Sequence, residues 1–148
     1  MTKVKFLFYT LIISFLISCS SYEKYKKNID SYSDPSLFHE SMQKLTDVIV
    51  YDIFSPPVAS RIYAYPTIAA YEVLINENPN YKSLSGKLNG LKSVPLPDPD
   101  LEYSFPVASI HAFLEVGRDL IFSEEKIKEY QSQLFGDLKK LGIPKDIY

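Results

Sequence analysis

The chain has no tryptophan and little cysteine, methionine, histidine or arginine: one Cys, two Met, two His and, among 16 basic residues, two Arg. A single cysteine cannot build an intrachain disulfide framework, so a fold here must rest on an apolar core. His39-Glu40 would begin a zinc-protease helix, but Gln43 stands where that motif needs its second histidine, so a zinc centre is excluded. The net charge of −2 comes from 16 basic and 18 acidic residues with no basic patch between aromatics, which argues against nucleic acid as a partner. A long apolar run is also missing. The most hydrophobic stretch, Phe6 to Ile17, is shorter than the roughly 20 residues a membrane-spanning helix needs.

That stretch is informative for what surrounds it. Lys3 and Lys5 precede it and Ser18-Cys19 follows, which is the layout of a secretory signal. Leu16-Ile17-Ser18-Cys19 resembles a bacterial lipobox, in which Cys19 carries the lipid and becomes the mature N-terminus. The alternative is an ordinary signal peptide with a free cysteine at its edge. The expected organisation is a lipoprotein signal peptide over 1–18, a polar tether over 19–33 and a helical domain over 34–148. The expected location is the bacterial cell envelope, with lipidated Cys19 as the membrane contact.

With 46% hydrophobic and 14% aromatic residues, 148 residues can bury one modest core. The patterning predicts an all-α domain of about four helices, packed as a partial bundle with a proline-rich strap. Asp34-Pro35 is a helix start, and Phe38, Met42, Leu45, Ile49 and Ile53 recur at spacings of three and four, so the first helix is expected over about 35–54. Ser55-Pro56-Pro57 forces a corner. The second helix follows with a wide apolar face, and Pro66 inside it predicts a kink or break near 62–66. Tyr81, Leu84, Leu88 and Leu91 suggest a short helix among turn formers, and Val94-Pro-Leu-Pro-Asp-Pro99 an extended strap. Phe105-Pro106 opens a third helix, expected to be the most buried. Ser123, Glu124 and Glu125 start a fourth, with Ile127, Tyr130, Leu134, Leu138 and Leu141 as its stripe and Gly142 as its stop.

The run LTDVIVYDIFSPPVASRIYAYPTIAAYEVL, with YKSLSGKLNGL and FPVASIHAFLEVG after it, resembles the N-terminal helical part of bacterial lipoproteins of the type 2 phosphatidic acid phosphatase and vanadium-dependent haloperoxidase superfamily. The resemblance implies a catalytic bundle as partner and phosphate or vanadate as the bound oxyanion. Such an oxyanion carries several negative charges and needs several convergent cations and donors. The superfamily supplies them from Lys-x6-Arg-Pro, Pro-Ser-Gly-His and Ser-Arg-x5-His-x3-Asp motifs. None is complete here: Ser85-Gly86 is followed by Lys87, and after Ser60-Arg61 the histidine position holds Thr67.

No catalytic residue or metal ligand is therefore assigned, and vanadate or phosphate is expected only where a C-terminal part supplies those motifs. The chain reads as an N-terminal helical scaffold and membrane tether, inactive by itself, although the family includes acid phosphatases and haloperoxidases. A stand-alone envelope lipoprotein that binds a partner through its helices is the alternative. The row His111, Glu115, Arg118 reads as a surface ion-pair ladder. Arg61 lies on a largely apolar helix, so Asp47 or Asp52 of the preceding helix is its expected partner.

Overall fold

The computed structural model describes residues 34–141 and is helical, with no strand among them. Four α-helices follow in chain order: α1 (Pro35–Tyr51), α2 (Pro56–Leu74), α3 (Phe105–Arg118) and α4 (Glu124–Lys140). A single 3-10 turn, Ile75–Glu77, extends α2. The signal peptide, the tether, Cys19 and Gly142 lie outside the described residues.

Local chemistry sets the helix starts as the sequence implies. Asp34 caps α1 by accepting the Ser36 amide at 2.9 Å, and proline occupies the first turn of α1, α2 and α3, where a missing N–H costs nothing. The end of α1 differs from expectation. The helix stops at Tyr51, and Ile53 turns left-handed at φ 57°. The Phe54 amide then reaches back to the Ile49 carbonyl (3.2 Å) and the Ile53 amide to that of Val50 (3.2 Å), the double closure of a Schellman end. This position normally takes glycine. Ile53, counted above as the last core residue of the stripe, is instead 88% exposed. Replacing Ile53 by glycine should therefore raise stability by about 0.5–1 kcal/mol, the relief of left-handed strain less the entropy of a freer unfolded chain. A thermal melt of the variant checks the sign.

α3 is the centre of the domain. It buries Val107, Ser109, Ile110, Phe113, Leu114 and Gly117, more than any other helix, and its closest partner is α2. Phe113 has no exposed surface and meets the Phe38 ring edge-on at 5.0 Å. Leu45, Val48 and Ile49 of α1, Ile62 and Ala70 of α2 and Ile127 of α4 complete the core.

α2 runs unbroken through Pro66, so the break allowed for there does not occur. Its buried line is Ile62, Pro66 and Ala70, so the proline ring faces the core instead of solvent. Gly117 of α3 lies against it: a Cβ there would meet Pro66 Cγ at an ordinary 3.6 Å and would crowd Leu45 Cδ2 at 3.2 Å. Packing between α2 and α3 therefore compensates for the hydrogen bond that Pro66 cannot make.

The connection over 78–104 forms no helix, contrary to the short one suggested at Tyr81–Leu91. Gly86 and Gly90 take φ values of 73° and 92°, which end any helical turn, and the Gly86 amide closes a loop on the Leu91 carbonyl at 2.7 Å. The strap carries no regular secondary structure, and Pro97 and Val94 are partly covered while Leu96 is 86% exposed. No helix among the described residues is long and apolar enough to cross a membrane.

Candidate functional site

The two pairing candidates for Arg61 are engaged elsewhere. Asp47 accepts the Gln43 side-chain amide at 2.8 Å on the exposed face of α1. Asp52, just past the end of α1, crosses to the start of α4: its Oδ2 accepts the Phe122 and Ser123 amides at 2.9 and 3.0 Å, and its Oδ1 accepts the Ser123 hydroxyl. Burial opposes the charge of Asp52. The Ser123 hydroxyl and amide, the Phe122 amide and nearby Lys126 outweigh it and hold the carboxyl below the usual carboxylate range. Ser123, expected to cap α4 with its own oxygen, instead gives its proton to this aspartate, which places negative charge at the helix start.

Arg61 makes no ion pair among the described residues and is exposed, so the predicted pair with Asp47 or Asp52 is not formed. The reason is rotation of the helix. Ile62, Pro66 and Ala70 take the core face of α2, which turns Arg61 outward into water, where a guanidinium needs no partner.

The His111, Glu115, Arg118 row forms the ladder that its spacing suggests, and it reaches further. Glu115 receives both guanidinium nitrogens of Arg118 (Nη2 to Oε2 2.7 Å, Nη1 to Oε1 2.9 Å), and the Gln131 amide of α4 adds a third bond at 2.8 Å. Arg118 also meets Asp119 at 3.3 Å. His111 stands 4.0 Å from Glu115 and packs its ring against Phe135. Burial opposes the Glu115 charge, but Gln131, Arg118 and His111 together keep its pKa below the usual value. The cluster locks α3 to α4. A second polar tie joins Ser41 of α1 to Tyr130 of α4 at 3.2 Å, and burial pushes the Tyr130 phenol up despite that bond.

Glu72, which lies too far along α2 from Arg61 to pair with it, has a role that spacing alone did not show. It is buried on α2, 5% exposed, and binds the loop: Ser83 Oγ donates to Oε2 at 2.7 Å and the Leu84 amide to Oε1 at 2.6 Å. Tyr71 adds a bond to the Lys82 carbonyl at 2.9 Å. A glutamate between alanines and valine on a wide apolar face was the available signal. Glu72→Ala should leave global stability within about 1 kcal/mol, because removing a buried charge offsets the lost bonds, while exchange of the Leu84 amide accelerates at least about tenfold. Hydrogen exchange read by mass spectrometry separates the two effects.

Shallow grooves flank these ties. One of about 610 Å³ runs between α2 and the loop, past Ile68, Val73, Leu88 and Leu91. Another of about 500 Å³ lies among Phe38, Ala70, Leu74 and Ile110, and a third of about 310 Å³ lies under Pro95 and Pro97, beside His111. Their linings are mainly apolar, and no group of three or more His, Cys, Asp or Glu among the described residues could hold a metal ion.

Compared with solved structures, the chain is 39% identical to a bacterial vanadium-dependent iodoperoxidase of known crystal structure, with a TM-score of 0.71 over 76% of this chain. The domain has a vanadium-haloperoxidase-like helical fold. It spans 27% of the iodoperoxidase chain, so the similarity concerns one segment of a larger molecule. No family model and no curated protein matches the chain. Within this haloperoxidase-like domain the strongest polar features, Asp52, Glu72 and the Glu115 cluster, each join one element to another.

Proposed function

We propose that this chain is the N-terminal helical scaffold and membrane tether of a lipoprotein of the vanadium haloperoxidase and type 2 phosphatidic acid phosphatase superfamily, with the oxyanion chemistry carried outside it. One observation carries the reading: 39% identity extends over most of this chain but over only 27% of an iodoperoxidase. The cation inventory agrees. Of the two arginines, Arg118 is closed by Glu115 and Asp119, and Arg61 stands alone on the outer face of α2. Neither supplies the convergent donors that vanadate or a phosphoryl group demands, so the residues described do not fit that group. No step of peroxidase or phosphatase chemistry is assigned to them.

The membrane role rests on the lipobox-like Leu16-Ile17-Ser18-Cys19 alone. Two measurements test the proposal. Reading the genomic DNA past the Tyr148 codon should reveal a frame with the missing motifs, whereas a clean stop beside a separately stable domain favours a stand-alone binding module. Labelling cells with radioactive palmitate should mark the protein and should fail for Cys19→Ser; label that persists in the variant contradicts the lipid anchor.

A further inference from the structure

At the corner between α1 and α2 an apolar side chain stands in water on a strained backbone. Ile53 is 88% exposed and its φ is 57°, a conformation that β-branched residues rarely adopt and that glycine adopts freely. Its backbone disfavours it and its side chain buries almost nothing inside the domain. Such an outlier points to a use for the side chain outside the domain. Ile53 does not stand alone, since Val50, Tyr51 and Phe122 are 70%, 64% and 80% exposed. Phe122 comes from the α3–α4 connection and is fixed at this corner twice. Its amide donates to Asp52 at 2.9 Å and its ring packs against Phe54 at 4.8 Å. The apolar face is thus assembled from two distant segments before any partner arrives.

The charge around it has both signs. Glu124 and Glu125 are paired with Lys128 at 3.5 and 2.7 Å, and Asp52 is engaged by Ser123. Asp52 keeps its negative charge there, and Lys126, whose ammonium lies 4.1 Å from the centre of the Tyr51 ring, sets a cation beside the face. A partner suited to this surface has an apolar centre and polar groups at its edge.

We propose that Val50, Tyr51, Ile53 and Phe122 form the face on which the remaining part of an iodoperoxidase-like enzyme docks, through an apolar surface of its own. The inference rests on the scaffold reading above. The occupant follows from coverage: this domain corresponds to 27% of the iodoperoxidase chain, so most of such a protein must pack against it from outside.

The test replaces the matching segment of the bacterial iodoperoxidase with residues 34–141 of this chain, with and without Ile53→Asp and Phe122→Asp together. The same double variant is made in the 148-residue chain. The chimera should melt as one unit, and the double substitution should lower its midpoint by roughly 5 °C or more while moving the 148-residue chain by less than about 2 °C. A chimera that melts as one unit and is indifferent to the substitutions overturns the docking face and leaves the scaffold reading standing. A chimera that does not fold with the native face overturns the scaffold reading and the face with it. An equal fall in both proteins makes the patch internal to the domain, and a dimer of the 148-residue chain that the substitutions dissociate gives the face to a second copy; either result contradicts the proposal.

Discussion

Phe113→Ala should lower the unfolding free energy by about 3–5 kcal/mol, the cost of removing a large ring from a closed site and leaving a cavity. The site is closed because Phe113 has no exposed surface and sits on the helix against which the others pack, with the Phe38 ring edge-on at 5.0 Å. The loss is a third or more of the roughly 5–15 kcal/mol that stabilises an ordinary domain, so the variant should melt far below the parent or fail to fold at ordinary temperature. Phe113→Leu keeps most of the volume and should cost less than about 1.5 kcal/mol. Urea titrations of both variants check the prediction, and near-equal midpoints would mean that the core does not centre on α3.

Asp52→Ala should cost about 2–3 kcal/mol, because one carboxylate holds three donors at the junction of α1 and α4 and each of those donors is left without its partner. The effect carries a pH signature. The folded-state pKa of Asp52 is depressed, so its stabilisation is present above the unfolded value of about 4 and is lost as pH falls through the folded value. The gap in melting temperature between the parent and Asp52→Asn should therefore be widest near neutral pH and close in acid. Glu115 is depressed in the same direction, but its side chain is 40% exposed, and solvent screening makes its share smaller. A gap that widens on acidification would show that the aspartate is not held as an anion.

The same two residues show which parts of the fold were readable from the chain. Phe113 lies beside the row Val107, Ile110, Leu114, Gly117 and Ile121, whose period marks α3 as a helix and gives its buried side. Proline at the starts of α1, α2 and α3 and Asp34 at the first gave those boundaries for local reasons. Asp52 could not be read, because its partners are 70 and 71 residues away and nothing in its own neighbourhood names them. Arg61 failed for a related reason. Its helix has small and apolar residues nearly all round, so periodicity did not fix the rotation that put Ile62, Pro66 and Ala70 inward. The early stop of α1 and the continuity of α2 through Pro66 were decided by packing and by the corner. The ladder on α3 was legible as a row, but Gln131, which turns it into a tie between helices, came from the tertiary fold.

The absence of the oxyanion motifs was legible from the residues alone, and the positions of Arg61 and Arg118 give it a physical form. The central claim is that this polypeptide supports oxyanion chemistry without performing it. Calorimetric titration of the purified 148-residue chain with vanadate tests that most directly. No saturable binding is predicted; tight, saturable binding that is abolished by changing Arg61 or Arg118 would contradict it.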